Sequence, residues 1–269
     1  MNFTFGIITS INSCNYINDI IISIENQNIP NYEIIIIGQI NKELIHNLKN
    51  TTIIEFNENI RPQWITKKKN IITELSKYEN IVFLHDYILF EPNWYNGFIE
   101  FDKEYSDWEI SMCKVKNIDG KRAIDWMGLP NDTKYGNVLL PYHYRNPKGM
   151  YIPGNFWIAK KNVMQKYPLN ENLLWGQAED IEWSKRVLGG AIYSTWLRNM
   201  IKIPMNKEVD ETTCINKYYM NTYSSVIYLK NKPTTSDFCK EYDAHSGSNS
   251  RPLGYNREDY EYLIKTNRV

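Results

Sequence analysis

Glu179 and Asp180 lie inside Trp175-Gly176-Gln177-Ala178-Glu179-Asp180-Ile181-Glu182-Trp183-Ser184-Lys185-Arg186, a glycine-containing turn that runs into a helical pattern. Helix-start chemistry alone favours acidic residues in a first turn, because the dipole there attracts negative charge. The flanking Trp175-Gly176 and Trp183-Ser184-x-Arg186 make coincidence a poorer account of this pair. A carboxylate at the mouth of a helix can take a proton from a substrate hydroxyl. The dipole is expected to lower its pKa and keep it ionised at neutral pH, ready to act as a base.

A second carboxylate with chemical reach is Asp86, within Phe83-Leu84-His85-Asp86-Tyr87-Ile88-Leu89-Phe90-Glu91-Pro92-Asn93-Trp94. At a strand end it can hold a divalent cation against a diphosphate, leaving the other metal positions to phosphate oxygens and water. The plainer reading is a polar strand-to-loop turn, where Asp is common. His85 adds a borderline ligand that suits manganese better than magnesium.

These side chains need a scaffold. Phe3–Ile8 reads as a strand that breaks at Thr9-Ser10-Ile11-Asn12, and Tyr16–Asn26 reads as a helix with Ile17, Ile20, Ile21 and Ile24 at helical spacing. Glu33–Ile37 is a continuous apolar strand of the kind buried on both faces, and Thr51–Phe56 repeats it. A helix follows over Gln63–Lys77, with Ile65, Ile72 and Leu75 expected inward and Lys67, Lys68 and Lys69 largely outward. Ile81–Leu84 is a further apolar strand. This alternation predicts βαβ units and a mainly parallel sheet. Ligands bind such sheets at the carboxyl ends of the strands, so Thr9–Asn12, Gly38-Gln39 and His85-Asp86-Tyr87 are expected to converge on one crevice.

The later sequence is less regular. Trp94–Tyr105 and Ala178–Leu188 read as helices, and Ile110–Lys114, Phe156–Ala159 and Ala191–Thr195 as strands, with a last helical patch over Arg257–Thr266. Between them, Lys116–Gly149 is rich in Gly, Pro, Asn and Tyr, a length of loop that is usually functional or mobile. Most of the aromatic residues are expected to pack. Trp126, Tyr135, Tyr142, Tyr144, Tyr151 and Trp175 stand beside loops and glycines, where flat rings suit the C–H face of a sugar.

Composition narrows the function classes. Among 269 residues, 31 Lys and Arg balance 31 Asp and Glu, so bulk charge supplies no counterion-release term for nucleic acid or anionic lipid. Cys14, Cys113, Cys214 and Cys239 are scattered without a Cys-x-x-Cys pair, which reads as four reduced thiols. The start, Met1-Asn2-Phe3-Thr4, lacks a basic region followed by a long apolar stretch, and no apolar run could span a bilayer. The expectation is a cytoplasmic protein with no transmembrane segment.

Together these features resemble the GT-A glycosyltransferases of the family 2-like group, over roughly residues 3–200. Thr9-Ser10-Ile11-Asn12 stands where that family has its Pro-Thr-x-Asn nucleotide loop. Ser23-Ile24-Glu25-Asn26-Gln27 with Glu33–Ile37 is similar to its Ser-Ile-x-x-Gln helix end and second strand, and Lys69-Asn70 matches its Arg-Asn pair. His85-Asp86-Tyr87 occupies the place of its Asp-x-Asp metal motif. Gly154-Asn155-Phe156-Trp157-Ile158-Ala159-Lys160-Lys161 is similar to its acceptor-side strand, and Glu179-Asp180 falls on its Glu-Asp motif, whose Asp is the catalytic base. Two departures stand out: Gly38-Gln39 replaces an acidic pair that often reads the nucleobase, and Tyr87 replaces the last Asp of the metal motif.

The resemblance implies a GT-A α/β fold, with a Rossmann-like, mostly parallel sheet and helices on both faces. It divides the chain into a nucleotide-sugar-binding half at 1–100, an acceptor-side half at 101–205 and a C-terminal extension at 206–269 that packs on the same domain. The activity it implies is transfer of a hexosyl or other glycosyl group from a UDP- or GDP-sugar to a hydroxyl of a glycan, lipid-linked or protein acceptor, with inversion. Asp180 would be the base and Glu179 its orienting partner. Thr9, Ser10, Asn12, Gln39, Lys68, Lys69, Asn70, Gly154 and Trp175 would line the nucleotide-sugar site. Asp86, His85 and His245 would hold a Mn2+ or Mg2+ ion. One alternative is a sugar nucleotidyltransferase, which would show a Gly-rich basic loop after the first strand, whereas Thr9–Tyr16 contains no Gly, Lys or Arg. The other is a non-catalytic nucleotide- or carbohydrate-binding module on the same fold, to which Tyr87 points.

Overall fold

Six of the seven residues of the first strand are buried on both of its faces, so the chain builds its core outward from its own start. A computed structural model describes residues 1–10, 16–46, 49–128, 138–144, 150–188 and 215–229. Its strands are β1 (Asn2–Ile8), β2 (Asn31–Gly38), β3 (Thr51–Glu55), β4 (Asn80–His85), β5 (Ile88–Phe90), β6 (Ile110–Asn117), β7 (Met127–Gly128), β8 (Val138–Leu139), β9 (Met150–Tyr151), β10 (Phe156–Lys160) and β11 (Tyr218–Tyr228). The helices are α1 (Ile17–Glu25), α2 (Ile65–Leu75), α3 (Trp94–Glu104), α4 (Lys161–Lys166) and α5 (Glu179–Leu188).

Among the described residues the main sheet runs β3-β2-β1-β4-β10-β6-β11-β5, and a small second sheet runs β8-β7-β9. The first four strands are mutually parallel, β6 and β11 are parallel, and β10 and β5 run against their neighbours. The sheet is mostly parallel, as the apolar runs of β2 and β4 predict. Alternate side chains of β1 serve opposite faces. Phe3 and Phe5 meet the rings of Phe98, Trp94 and Phe90 at centroid distances of 5.3–6.0 Å, which packs α3 on one face. Each of these rings contributes about 1.5–3 kcal/mol through the area it removes from water. Gly6 faces the other way, and a Cβ there would run into Ile72 of α2. Helices therefore cover both faces.

Register aligns the strand ends that matter. Ile8 of β1 pairs with Ile37 of β2 and with His85 of β4, so these three strands terminate level with one another. Because β10 runs antiparallel to β4, with Phe156 opposite Leu84, the residues before β10 enter at the same edge. The His85 amide donates to the Asn155 carbonyl at 3.2 Å and continues that pairing past β4.

One expectation needs correction. Lys68 and Lys69 point into the protein, while Leu75 is 54% exposed. The reason is geometric: Ile65 and Ile72 fix the inward stripe of α2, and positions 68 and 69 lie three and four residues after Ile65 on that same stripe. The region after residue 205 also supplies a strand that the sequence reading did not mark. β11 lies inside the sheet between β6 and β5, and its bulge between Asn221 and Ser225 lets Ser224 Oγ donate to the Trp94 carbonyl at 2.8 Å. The expected strand at Ala191–Thr195 and helix at Arg257–Thr266 lie outside the described residues. Among the described residues no helix is long and apolar enough to cross a membrane.

Candidate active site

The candidate site has two walls, and the first is made by strand ends. Thr9 follows β1, and its Oγ1 donates to Asp86 Oδ2 at 2.7 Å, which joins the ends of β1 and β4 through buried side chains. The Asp86 amide donates to the Ile8 carbonyl at 3.1 Å, so backbone register and side-chain contact fix the same carboxylate. A hydrogen bond of this charged kind is worth about 1.5–3 kcal/mol. Lys68 reaches up from α2 to donate to the Thr9 carbonyl at 2.9 Å and pairs with Glu58. Gly38 closes in from β2, where a Cβ would collide with the Thr9 backbone. Ser10 and Gln39 are half-buried at the same edge, whereas Asn12 lies outside the described residues.

The second wall is the mouth of α5. Ala178, which accepts the first helical hydrogen bond from the Glu182 amide at 2.9 Å, has a left-handed φ of 57°, as does Gly176 at 79°. A non-glycine residue in that region costs of order 1–2 kcal/mol, the type of strain found where a side chain must be aimed. The chain then delivers Glu179 and Asp180 against Gly154. Asp180 Oδ2 accepts from the Gly154 amide at 2.9 Å, and Oδ1 accepts from the Ile181 amide at 2.9 Å. A Cβ on Gly154 would lie 3.3 Å from both Asp180 Cβ and Glu179 Oε1, so glycine is what allows the pair its approach. Lys69 completes the wall: its Nζ donates to the Gly154 carbonyl at 2.8 Å and sits 4.2 Å from the centroid of the Trp157 ring.

Burial dominates the electrostatics here. Glu179 is pushed up to about 7 by desolvation and then by the neighbouring Asp180, with Lys69 opposing both. Asp180 is raised by desolvation in spite of the Gly154 amide, Lys69 and the Ile181 amide, although part of its surface stays exposed. Lys69, with no exposed surface, is lowered to about 8 by desolvation against the pull of the two carboxylates. The expectation of a carboxylate held acidic by the helix dipole is therefore corrected. Removing water from the group costs more than the dipole and its amides return. A carboxylate raised above its ordinary value is a better proton acceptor than a free one, which suits a base.

Tyr87 links the two walls. Its phenol is held well above its ordinary value by burial first, and then by the charges of Tyr228, Asp86, Glu179 and Asp180. Asp86 and the α5 pair thus act on one ring from the same end of the sheet.

No family model and no curated protein matches the sequence. Among solved structures, S. aureus TarS 1-349 in complex with UDP-GlcNAc is similar at a TM-score of 0.50 and 13% identity, covering 86% of this chain and 60% of that one. The UDP complex of the same fragment aligns at 0.47 and 13%, covering 69% and 54%, and the fragment alone at 0.48 and 15%, covering 68% and 54%. The chain spans a third to three fifths of the TarS chains that it matches. At this identity the likeness speaks for the fold, and it agrees with the mostly parallel sheet described above.

The fold is GT-A.

Within the GT-A frame the remaining expected residues separate. Asn70 turns away from the carboxylates: its amide donates to the Leu169 carbonyl at 3.0 Å and to Glu171 Oε1 at 3.0 Å, and its carbonyl accepts from the Leu169 amide at 2.9 Å. It pins the loop that leads to Trp175. Arg61, Trp64 and Thr66 donate to carbonyls of the same loop, and the Trp175 amide donates to the Gln63 carbonyl at 3.1 Å. The Trp175 ring is 56% exposed beside Gly176. Of the other loop aromatics, Trp126, Tyr144 and Tyr151 are buried packing residues, Tyr142 donates to Asp125 at 2.9 Å, and Tyr135 lies outside the described residues.

The metal expectation rests on Asp86, His85 and His245. Asp86 has one oxygen engaged by Thr9, the His85 ring stacks on Tyr87 at 5.2 Å, and His245 is outside the described residues. Among the described residues no cluster of three or more His, Cys, Asp or Glu could hold a metal ion. Of the three expected ligands, Asp86 and His85 are the two within the described residues, and two side chains do not make such a cluster.

Sequence reasoning missed the inward turn of Lys69 and the linking position of Tyr87. The helical stripe through Ile65 and Ile72 carried the first signal. Nothing local carried the second.

Proposed function

We propose that the chain transfers a sugar from a nucleotide-diphosphate sugar to an acceptor hydroxyl, with inversion at the anomeric carbon. The observation that carries this reading is the desolvated Glu179-Asp180 pair at the α5 mouth, set at the same sheet end as the Thr9–Asp86 contact. The UDP-GlcNAc held by the TarS fragment of the same fold adds support for a UDP-linked donor.

In this reading Asp180 receives the acceptor O–H proton on a carboxylate lone pair that the Gly154 and Ile181 amides leave open. As that proton moves, the acceptor oxygen bonds to the anomeric carbon, and the bond from that carbon to the diphosphate oxygen breaks. The electron pair leaves with the nucleoside diphosphate. Glu179 holds a proton near neutrality and orients the sugar or its neighbour Asp180. Thr9, Ser10 and Gln39 line the nucleoside side.

The test is Asp180→Asn with UDP-GlcNAc as the probe. Turnover, followed as UDP release, is expected to fall about 10²–10⁴-fold, while calorimetric affinity for the donor stays within twofold. Equal loss of both would remove Asp180 from the role of base. Donor binding by the wild type without any UDP release would favour a binding module over an enzyme.

A further inference from the structure

We propose that Lys69 is a positioning residue of the carboxylate site, clamping Gly154 against Asp180 and balancing the charge of the Glu179-Asp180 pair rather than contacting the donor's diphosphate. This rests on the transfer reading above and assigns a regulator of basicity within it.

Three contacts converge on one glycine. Lys69 Nζ donates to the Gly154 carbonyl, the Gly154 amide donates to Asp180 Oδ2, and the space where a Cβ would sit is bounded by Asp180 and Glu179. Any shift of Lys69 therefore moves the backbone that aims the base. The ammonium is seated over the Trp157 ring, which itself stacks on Phe83 at 4.8 Å and lies 5.5 Å from Trp183, so the cation has a rigid aromatic floor. With no exposed surface, Lys69 does not present its charge to solvent.

The groups facing the pair come from four elements. Lys69 comes from α2, the carboxylates themselves from α5, Tyr87 from the turn after β4, and Tyr151 from β9. Burial holds both phenols above their ordinary values, and they stay neutral while the carboxylates titrate. Lys69 is thus a cation from outside α5 that acts on the pair, and it draws both carboxylates downward against desolvation.

Carbon-13 NMR of side-chain carboxyls across pH 5–9, on wild type, Lys69→Met and Lys69→Arg, decides the matter. Loss of the cation is expected to move the Glu179 titration upward by about one unit or more, with Lys69→Arg keeping the wild-type midpoint. The acid limb of the turnover profile with UDP-GlcNAc is expected to move with it. The turnover number is expected to drop about tenfold to a hundredfold, the scale of a small misplacement, at unchanged donor KM. A Lys69→Met protein that titrates as wild type overturns the proposal. Should that variant not fold, the wild-type nitrogen-15 signal of the Lys69 ammonium serves instead. A protected ammonium titrating below the ordinary lysine range supports the clamp, and a freely exchanging one at the ordinary value overturns it. The titration needs no turnover: a shifted midpoint in a protein that consumes no nucleotide sugar would sink the transfer reading and keep the clamp.

Discussion

The two walls of the candidate site hold acidic groups by different means. At the strand ends, Asp86 is fixed by backbone register and by a hydroxyl from the neighbouring strand, and Lys68 is matched by Glu58. At the α5 mouth, two carboxylates and a lysine are desolvated together, and all three pKa values move toward neutrality. The first wall is a seat held by strand register and by paired side chains. At the second, burial penalises the charged form of every member, raising both carboxylates and lowering the lysine.

Gly154→Ala strikes the second wall hardest. Its new Cβ would press on Glu179 Oε1 and Asp180 Cβ, 3.3 Å away, so turnover is expected to drop about tenfold to a hundredfold. Steady-state kinetics with UDP-GlcNAc should show the loss in the turnover number, and a change confined to donor KM would place Gly154 on the first wall instead.

Thr9→Val tests the seat. It removes the hydroxyl donor from a buried carboxylate oxygen at similar side-chain volume, and stability is expected to fall by about 1–3 kcal/mol in urea titrations. A variant as stable as wild type would mean that register alone holds Asp86.

Glu179→Gln sharpens the contrast through pH. A carboxyl whose folded pKa is about 7, above its ordinary 4.5, contributes stability that is complete below 4.5 and lost as pH rises through 7. Lys69 acts in another window: its lowered value gives a contribution present above 10.5 and lost as pH falls through 8. Between pH 5 and 7.5 the wild type should therefore lose stability faster than Glu179→Gln. Parallel stability curves would show that Glu179 is not perturbed.

Much of the first wall was legible in the sequence. Apolar runs ending in Thr9, Gly38-Gln39 and His85-Asp86 announce parallel strands, and parallel strands that end together must bring those residues to one edge. The second wall was legible as chemistry but not as geometry. Glu179-Asp180 could be named as an acidic pair from its turn and helix, yet neither Gly154 nor Lys69 is near it in the chain: the antiparallel entry of β10 brings Gly154 there, and the inward stripe of α2 brings Lys69. Lys69 was misread because a run of three lysines suggests solvent, although the spacing from Ile65 places two of them inward. β11 went unmarked because its Tyr-rich sequence, interrupted by Asn221, Thr222, Ser224 and Ser225, lacks a long apolar run, and its place comes from pairing with β6 and β5.

By itself, the sequence determined the alternation of strands and helices, the crevice edge and the identity of the acidic groups, since these follow from local periodicity and from which residues end each run. Tertiary structure decided the protonation of the α5 pair and the direction of Lys69. Desolvation and charge pairing depend on what surrounds a group in space, and in this protein the surroundings come from helices and strands far apart in the chain.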